Sequence, residues 1–302
     1  MTGMTGMTGR TTTTTGRTPL GDVLASTRAE LLRLRRWPAV WVTIGAWVAM
    51  SIMFGYLFGY LSYKTGDMSF STEGQTRASL LVDLLPAAVP DTLLQGMPMF
   101  GGALMMVLGA LVAGSGYGWG TWKTVYTQGP SRTSTVLGSL AALTTFVVGI
   151  VLLTLTLYAV ISIAIASSEG VSIVWPSLGS VTESTLAGTL VLEMWAVAGF
   201  ALGTVARGPA LSVGLGLVWA LVVENLLRGV GELLGPVEAL THVLPGTAAG
   251  SLVGALVGVG GPDPTPGVVD VISGTQAAWT VLAYVVLLPV VSLLLVRRRD
   301  VT

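Results

Sequence analysis

The chain has 302 residues, 52% of them hydrophobic and 10% charged, with a mean hydropathy of +0.78. That much apolar surface cannot be covered by a polar shell, which excludes a soluble globular domain and makes an integral membrane protein the expected class. Net charge is zero; the lack of cysteine excludes disulfides, thiolate catalysis and thiolate metal sites, and the lone His242 leaves little histidine chemistry.

The first nine residues repeat Met-Thr-Gly three times and five threonines follow. Residues 1–17 have nothing to bury and are expected to form a disordered tail. No signal peptide is evident, because the first apolar run starts after residue 37 and is too long for a signal core.

Thr18 and Pro19 signal a helix start, and Leu20, Val23, Leu24, Leu31 and Leu34 fall on one helical face. Arg28 and Arg35 flank that face; Arg33 and Arg36 lie opposite. Residues 18–38 are therefore expected to form an amphipathic elbow helix lying in the membrane interface, its arginines at anionic lipid headgroups. A plain polybasic topology signal is the alternative. Pro38 turns the chain into the bilayer.

Six spans are predicted: Val40–Leu61, Met97–Tyr117, Ser134–Ala166, Ser184–Ala206, Pro209–Leu227 and Ala277–Val296. Each reaches the roughly 20 residues that about 30 Å of hydrocarbon requires. The third is longer than needed and is expected to tilt or project. Only Arg207 and Gly208 separate spans four and five, so a tight hairpin is predicted there. Twelve of the fifteen Lys and Arg residues fall on one side of these spans, and only Lys64, Arg77 and Arg228 lie on the other. The positive-inside rule then places both termini in the cytoplasm of a multi-pass cell-membrane protein.

Between spans two and three, Trp119, Trp122 and Tyr126 stand at helical spacing, followed by Gly129 and Pro130. They are expected to form one aromatic face on a short helix, offered either to a groove in a soluble partner or to the interfacial aromatic belt. Glu193 and Glu224 lie within spans, each roughly 20–25 Å from the Arg207 turn, and are expected at a shared depth. They are read either as substrate-path groups, with Trp219 and Asn225 beside Glu224, or as interhelical hydrogen-bonding groups.

After span five, Val237–Leu244 and Gly246–Val259 are apolar, yet each is interrupted before it could cross. A re-entrant half-helix pair over 236–260 is expected, with a helix on the outer surface as the alternative. Gly246, Gly250, Gly254 and Gly258 recur every fourth residue and predict a glycine ridge for packing against a neighbouring helix. The fold class expected is thus an all-α polytopic membrane protein in which 39–302 form the six-helix transmembrane domain.

Neither Lys64 nor Lys123 follows a glycine, so no nucleotide-binding phosphate loop exists and any ATP dependence belongs to another subunit. No His-Glu-x-x-His is present, no metal site is expected, and Ser115 lacks the spacing of a nucleophile elbow. The basic residues abut the membrane, so anionic lipid accounts for them without nucleic acid.

The order of these elements resembles the ABC-2 class of ATP-binding-cassette transporter permeases from about residue 20 to 299. Four local matches carry the resemblance: Arg28-Ala29-Glu30-Leu31-Leu32-Arg33-Leu34-Arg35-Arg36, Gly120-Thr121 with Gly129-Pro130-Ser131-Arg132, the turn from Gly203 to Arg207, and Val243-Leu244-Pro245-Gly246-Thr247-Ala248-Ala249. Relatives often carry an acid before the Gly-Thr pair and a base after the Ser-Arg pair. This chain has Gly114-Ser115-Gly116-Tyr117-Gly118 and Gly138-Ser139 there.

The resemblance implies an exporter permease that forms a homodimer and binds two cytosolic ATPase subunits, which hold Mg-ATP; the chain itself carries no cofactor. It assigns 118–133 as the coupling loop, with Trp119, Thr121, Trp122, Tyr126 and Arg132, and makes Glu30 and Arg33 part of an elbow that braces the ATPase. Pro245, Gly246, Gly250 and Gly254 become an outer gate over a path lined by spans one, two and five. An ion-coupled secondary transporter using Glu193 and Glu224, or a non-transporting immunity or sensor subunit, are the alternatives.

Overall fold

A computed structural model describes residues 18–67, 76–231, 233–258 and 265–299, and among these no strand occurs. The expected tail at 1–17 and the end of the outer segment at 259–260 lie outside the described residues. Twelve helices follow in chain order: α1 (Pro19–Arg36), α2 (Pro38–Thr65), α3 (Arg77–Asp83), α4 (Val89–Leu94), α5 (Met97–Gly118) and α6 (Thr121–Gln128). Then come α7 (Arg132–Ser168), α8 (Leu178–Ala206), α9 (Pro209–Gly231), α10 (Gly235–Thr241), α11 (Pro245–Val257) and α12 (Gly274–Arg298). Helices α2, α5, α7, α8, α9 and α12 are long and apolar enough to cross a membrane, so the chain is an all-helical, multi-pass membrane protein. With 37 residues, α7 is about 55 Å long and outreaches a bilayer core.

The core is the seam between α5 and α8, which a side chain cannot enter. A Cβ on Gly109 would lie 1.9 Å from the Ala196 carbonyl oxygen, and one on Gly199 would lie 2.0 Å from that of Met106. Without a hydrophobic drive between helices in lipid, such backbone contact supplies the packing. Trp195, fully buried, lies across Gly102 on the same seam.

The predicted hairpin is present: α8 ends at Ala206, Arg207 takes a left-handed φ of 53°, and Pro209 opens α9. Arginines gather at this end of the bundle. The Arg132 guanidinium donates to the Arg299 carbonyl at 2.8 Å, and Arg297 donates to Thr133 Oγ1 at 3.0 Å. We call this the basic end and its opposite the far end.

Three spans contain a π-turn, a widened turn that often marks a functional site. These are Met53–Leu57 in α2, Met97–Gly101 in α5 and Trp219–Val223 in α9. The first two meet, since Phe54 and Phe100 stack with ring centroids 6.1 Å apart. Helices α3 and α4 were not foreseen. All but one residue of α4, namely Val89, Pro90, Thr92, Leu93 and Leu94, are buried.

Candidate functional site

At the basic end, α1 docks on two spans. It crosses α7 where Gly138 has no side chain, so that a Cβ there would lie 2.5 Å from Ser26 Cβ. Leu34 is fully buried, whereas Leu20 and Leu24 at the start of the expected apolar face remain exposed. Arg33 is the fastener. Its guanidinium pairs with Glu30, donates to Ser115 Oγ and to the Val112 carbonyl, each at 3.2 Å, and lies 5.4 Å from the Trp37 ring. A planar fork with several donors suits such divided bonding. Gly138 stands where a longer residue would block α1.

The expected single aromatic face does not form. Gly120 takes a left-handed φ of 66°, so α6 begins only at Thr121 and Trp119 lies outside it as the cap of α5. Trp119 is 64% exposed and meets Trp37 edge-on at 5.6 Å. Trp122 turns inward, 8% exposed, over Gly116, and donates from Nε1 to the Ala113 carbonyl at 3.3 Å. Tyr126 stacks on Trp122 at 5.5 Å, and Arg132 lies 5.7 Å from the Tyr126 ring. Burial pushes the Tyr126 phenol up, so it stays neutral in this stack. Thr121 Oγ1 donates to the Gly116 carbonyl at 3.2 Å. The surface presented outward is therefore Trp119 with Lys123, Thr124 and Thr127.

The two intramembrane carboxylates have separate partners, and no hydrogen bond joins them among the described residues. Glu193 accepts from Thr144 Oγ1 at 2.6 Å, while its other oxygen is buried without a hydrogen-bond partner among the described residues. Glu224, fully buried, accepts from Trp219 Nε1 at 2.7 Å and from the Gly246 backbone N–H at 2.7 Å. Residues five apart do not face each other on a regular α-helix, but the π-turn between Trp219 and Glu224 brings them together. Asn225 does not join that site; it is exposed and accepts from Arg228.

Glu224 thus occupies the N terminus of α11, where free backbone N–H groups favour a carboxylate. Helices α10 and α11 are joined by a short break with a 69° bend, which matches the predicted interruption at Pro245. The glycine ridge has a different use from the one expected. Gly246 makes room for the Glu224 carboxylate, and Gly250 receives the backbone of 267–269, with the Val269 N–H on the Gly250 carbonyl at 3.3 Å. Gly254 is buried within α11, but Gly258, at a φ of 83°, ends the helix and stands outside the ridge.

Sequence reasoning missed a further cluster at the far end. Lys64 pairs with Glu169 at 2.5 Å, and Tyr60 and Tyr63 donate to the same carboxylate at 3.2 and 3.1 Å. The hydrogen bond from Lys64 holds the Glu169 carboxyl below its ordinary range. This ties α2 to α7 across more than a hundred residues, a pairing with no local sequence signal. Among the described residues no group of acids or histidines could hold a metal ion. No family model matches the chain, and a search of the curated proteins returns no match.

Proposed function

We propose that the chain is the transmembrane permease subunit of an ATP-driven exporter of the ABC-2 class. In this reading it pairs as a homodimer in the cell membrane with both termini in the cytoplasm, and two separate ATPase subunits bind Mg-ATP beneath the basic end. One observation carries the reading: α6 and α1 are both locked onto the same end of α5. Trp122 lies over Gly116, and Arg33 holds Val112 and Ser115, so a push on α6 moves α5 as a unit. Helix α5 in turn touches α8 backbone to backbone through Gly109 and Gly199, which leaves little slack in the drive.

The ATPase would bear on Trp119, Lys123 and Thr124, with Trp122 and Tyr126 transmitting from inside. The path would follow α2, α5 and α9, the three spans with π-turns, and α10 and α11 would dip in from outside as its gate. Small-molecule, drug, peptide and lipid-like cargo all fit this scheme.

The test is co-purification with an ATPase and measurement of coupled ATP turnover. Substituting Trp119→Ala together with Lys123→Glu is expected to uncouple turnover while leaving the fold intact, and Trp122→Ala to uncouple it through the lever. Full stimulation in both variants overturns the coupling assignment. The unpartnered oxygen of Glu193 favours a second reading, an ion-coupled transporter. Transport in vesicles that needs no nucleotide but follows a proton gradient and vanishes in Glu193→Gln would establish that reading instead.

A further inference from the structure

At the far end, α9 and α10 and the segment before α12 line an open cavity of about 560 Å³. Its lining includes Asn225, Arg228, Glu238, Thr241, His242 and Asp270. Both signs of charge therefore face one space, within the size range of cavities that take small-molecule groups. Arg228 has unused capacity: one terminal guanidinium nitrogen donates to Asn225 Oδ1 at 2.5 Å, and the other is buried with no hydrogen-bond partner among the described residues. A buried donor without an acceptor is costly, so an anionic oxygen is the natural complement. Glu238 and Asp270 are exposed and lie in no ion pair among the described residues.

The turn between α9 and α10, and α10 itself, carry bare apolar side chains close in sequence to this lining. Leu233 is 81% exposed, Leu234 54% and Leu240 48%. A polar cavity that opens beside exposed leucines matches an amphiphile, with a head for the cavity and chains for the leucines.

We propose that this cavity binds the zwitterionic head of an ethanolamine-type phospholipid, the phosphate on Arg228, the ammonium on Glu238 and Asp270, and the acyl chains along Leu233, Leu234 and Leu240. An anionic lipid without an amine meets two uncompensated carboxylates. A choline lipid offers no N–H donor to them. The meaning of the site as an exit-side station for lipid-like cargo rests on the permease reading; the binding itself does not.

The test is native mass spectrometry of the full chain in detergent, titrated separately with phosphatidylethanolamine, phosphatidylcholine, phosphatidylglycerol and free phosphoethanolamine. The expected result is about tenfold tighter retention of phosphatidylethanolamine than of the other two lipids, as one charged hydrogen bond supplies. Arg228→Gln and Asp270→Asn should each remove that preference. The Asp270 side chain is exposed, so its variant tests the site even if Arg228→Gln fails to fold. Equal retention of all three lipids, or an unchanged preference in Asp270→Asn, overturns the proposal. So does free phosphoethanolamine binding as tightly as the lipid, since the chains would then contribute nothing. A lipid preference that persists when no ATPase partner can be found leaves this site standing and removes the permease reading alone.

Discussion

The carboxylate of Glu224 accepts the backbone N–H of Gly246 at 2.7 Å, so a side chain from the last third of one span closes the start of the helix after the 69° bend. Gly246 leaves room for that approach, because a Cβ would lie 2.1 Å from the carboxylate oxygen and the carboxylate would have to shift. This contact ties span five to the bent pair.

Removing the acceptor should release α11. Glu224→Ala leaves the Trp219 indole and the Gly246 N–H without partners, a loss of about 2–6 kcal/mol at roughly 1–3 kcal/mol for each orphaned group. Hydrogen exchange over 245–250 should accelerate, while Glu224→Gln, which keeps a carbonyl acceptor, should lie in between. Unaltered exchange in the alanine variant would show that the contact holds nothing.

The α5–α8 seam should tolerate no added carbon. Gly109→Ala and Gly199→Ala both force backbone apart, and overpacking of this kind costs about 1–3 kcal/mol or more. Their melting temperatures in detergent should fall well below that of Gly149→Ala, whose added methyl meets nothing within 4 Å. Gly149 is helical, so that control should be neutral or slightly stabilising. Similar melting of all three variants would rule out close packing at the seam.

Arg33 should resist conservative replacement. Lysine keeps the charge but cannot reach Glu30, Ser115 and Val112 with a planar fork, so Arg33→Lys should loosen α1 nearly as much as Arg33→Ala. Limited proteolysis within 19–36 reports this directly. Protection in the lysine variant equal to that of the unaltered chain would reduce Arg33 to a general positive charge.

The tie between Lys64 and Glu169 should depend on acid. Glu169 titrates below its ordinary value of 4.5 because the Lys64 ammonium donates to it. A depressed carboxylate stabilises fully above that ordinary value and loses its effect as pH falls through the lower folded value. Hydrogen exchange over 60–66 should therefore rise as pH drops below about 4.5 after correction for intrinsic exchange, and Glu169→Gln should abolish the rise. A rise that survives in that variant would assign the acid sensitivity elsewhere.

Much of the fold is legible in the chain because lipid imposes a simple rule on length. Apolar runs of about 20 residues mark all the spans, and Arg207-Gly208-Pro209 and Leu244-Pro245-Gly246 mark the turn and the break. Helix α4 is too short for periodicity to distinguish it from an apolar loop. Helical spacing joined Trp119 to Trp122 and Tyr126, but it says nothing of where a helix begins, and Gly120 separates them. The π-turns have no composition of their own, so the meeting of Trp219 with Glu224 needed coordinates. The links from Lys64 to Glu169 and from Glu224 to Gly246 join distant residues, which no local pattern encodes.

The seat of α1 on α7 also sets an order of assembly. Ser26 settles against Gly138, so the first helix finds its position only after some 110 further residues have been made. At about 5–20 residues per second, α1 waits on the order of ten seconds for its partner. Throughout that interval its arginines have only the emerging chain and the membrane surface to hold them. A slowed ribosome would be felt first at this helix.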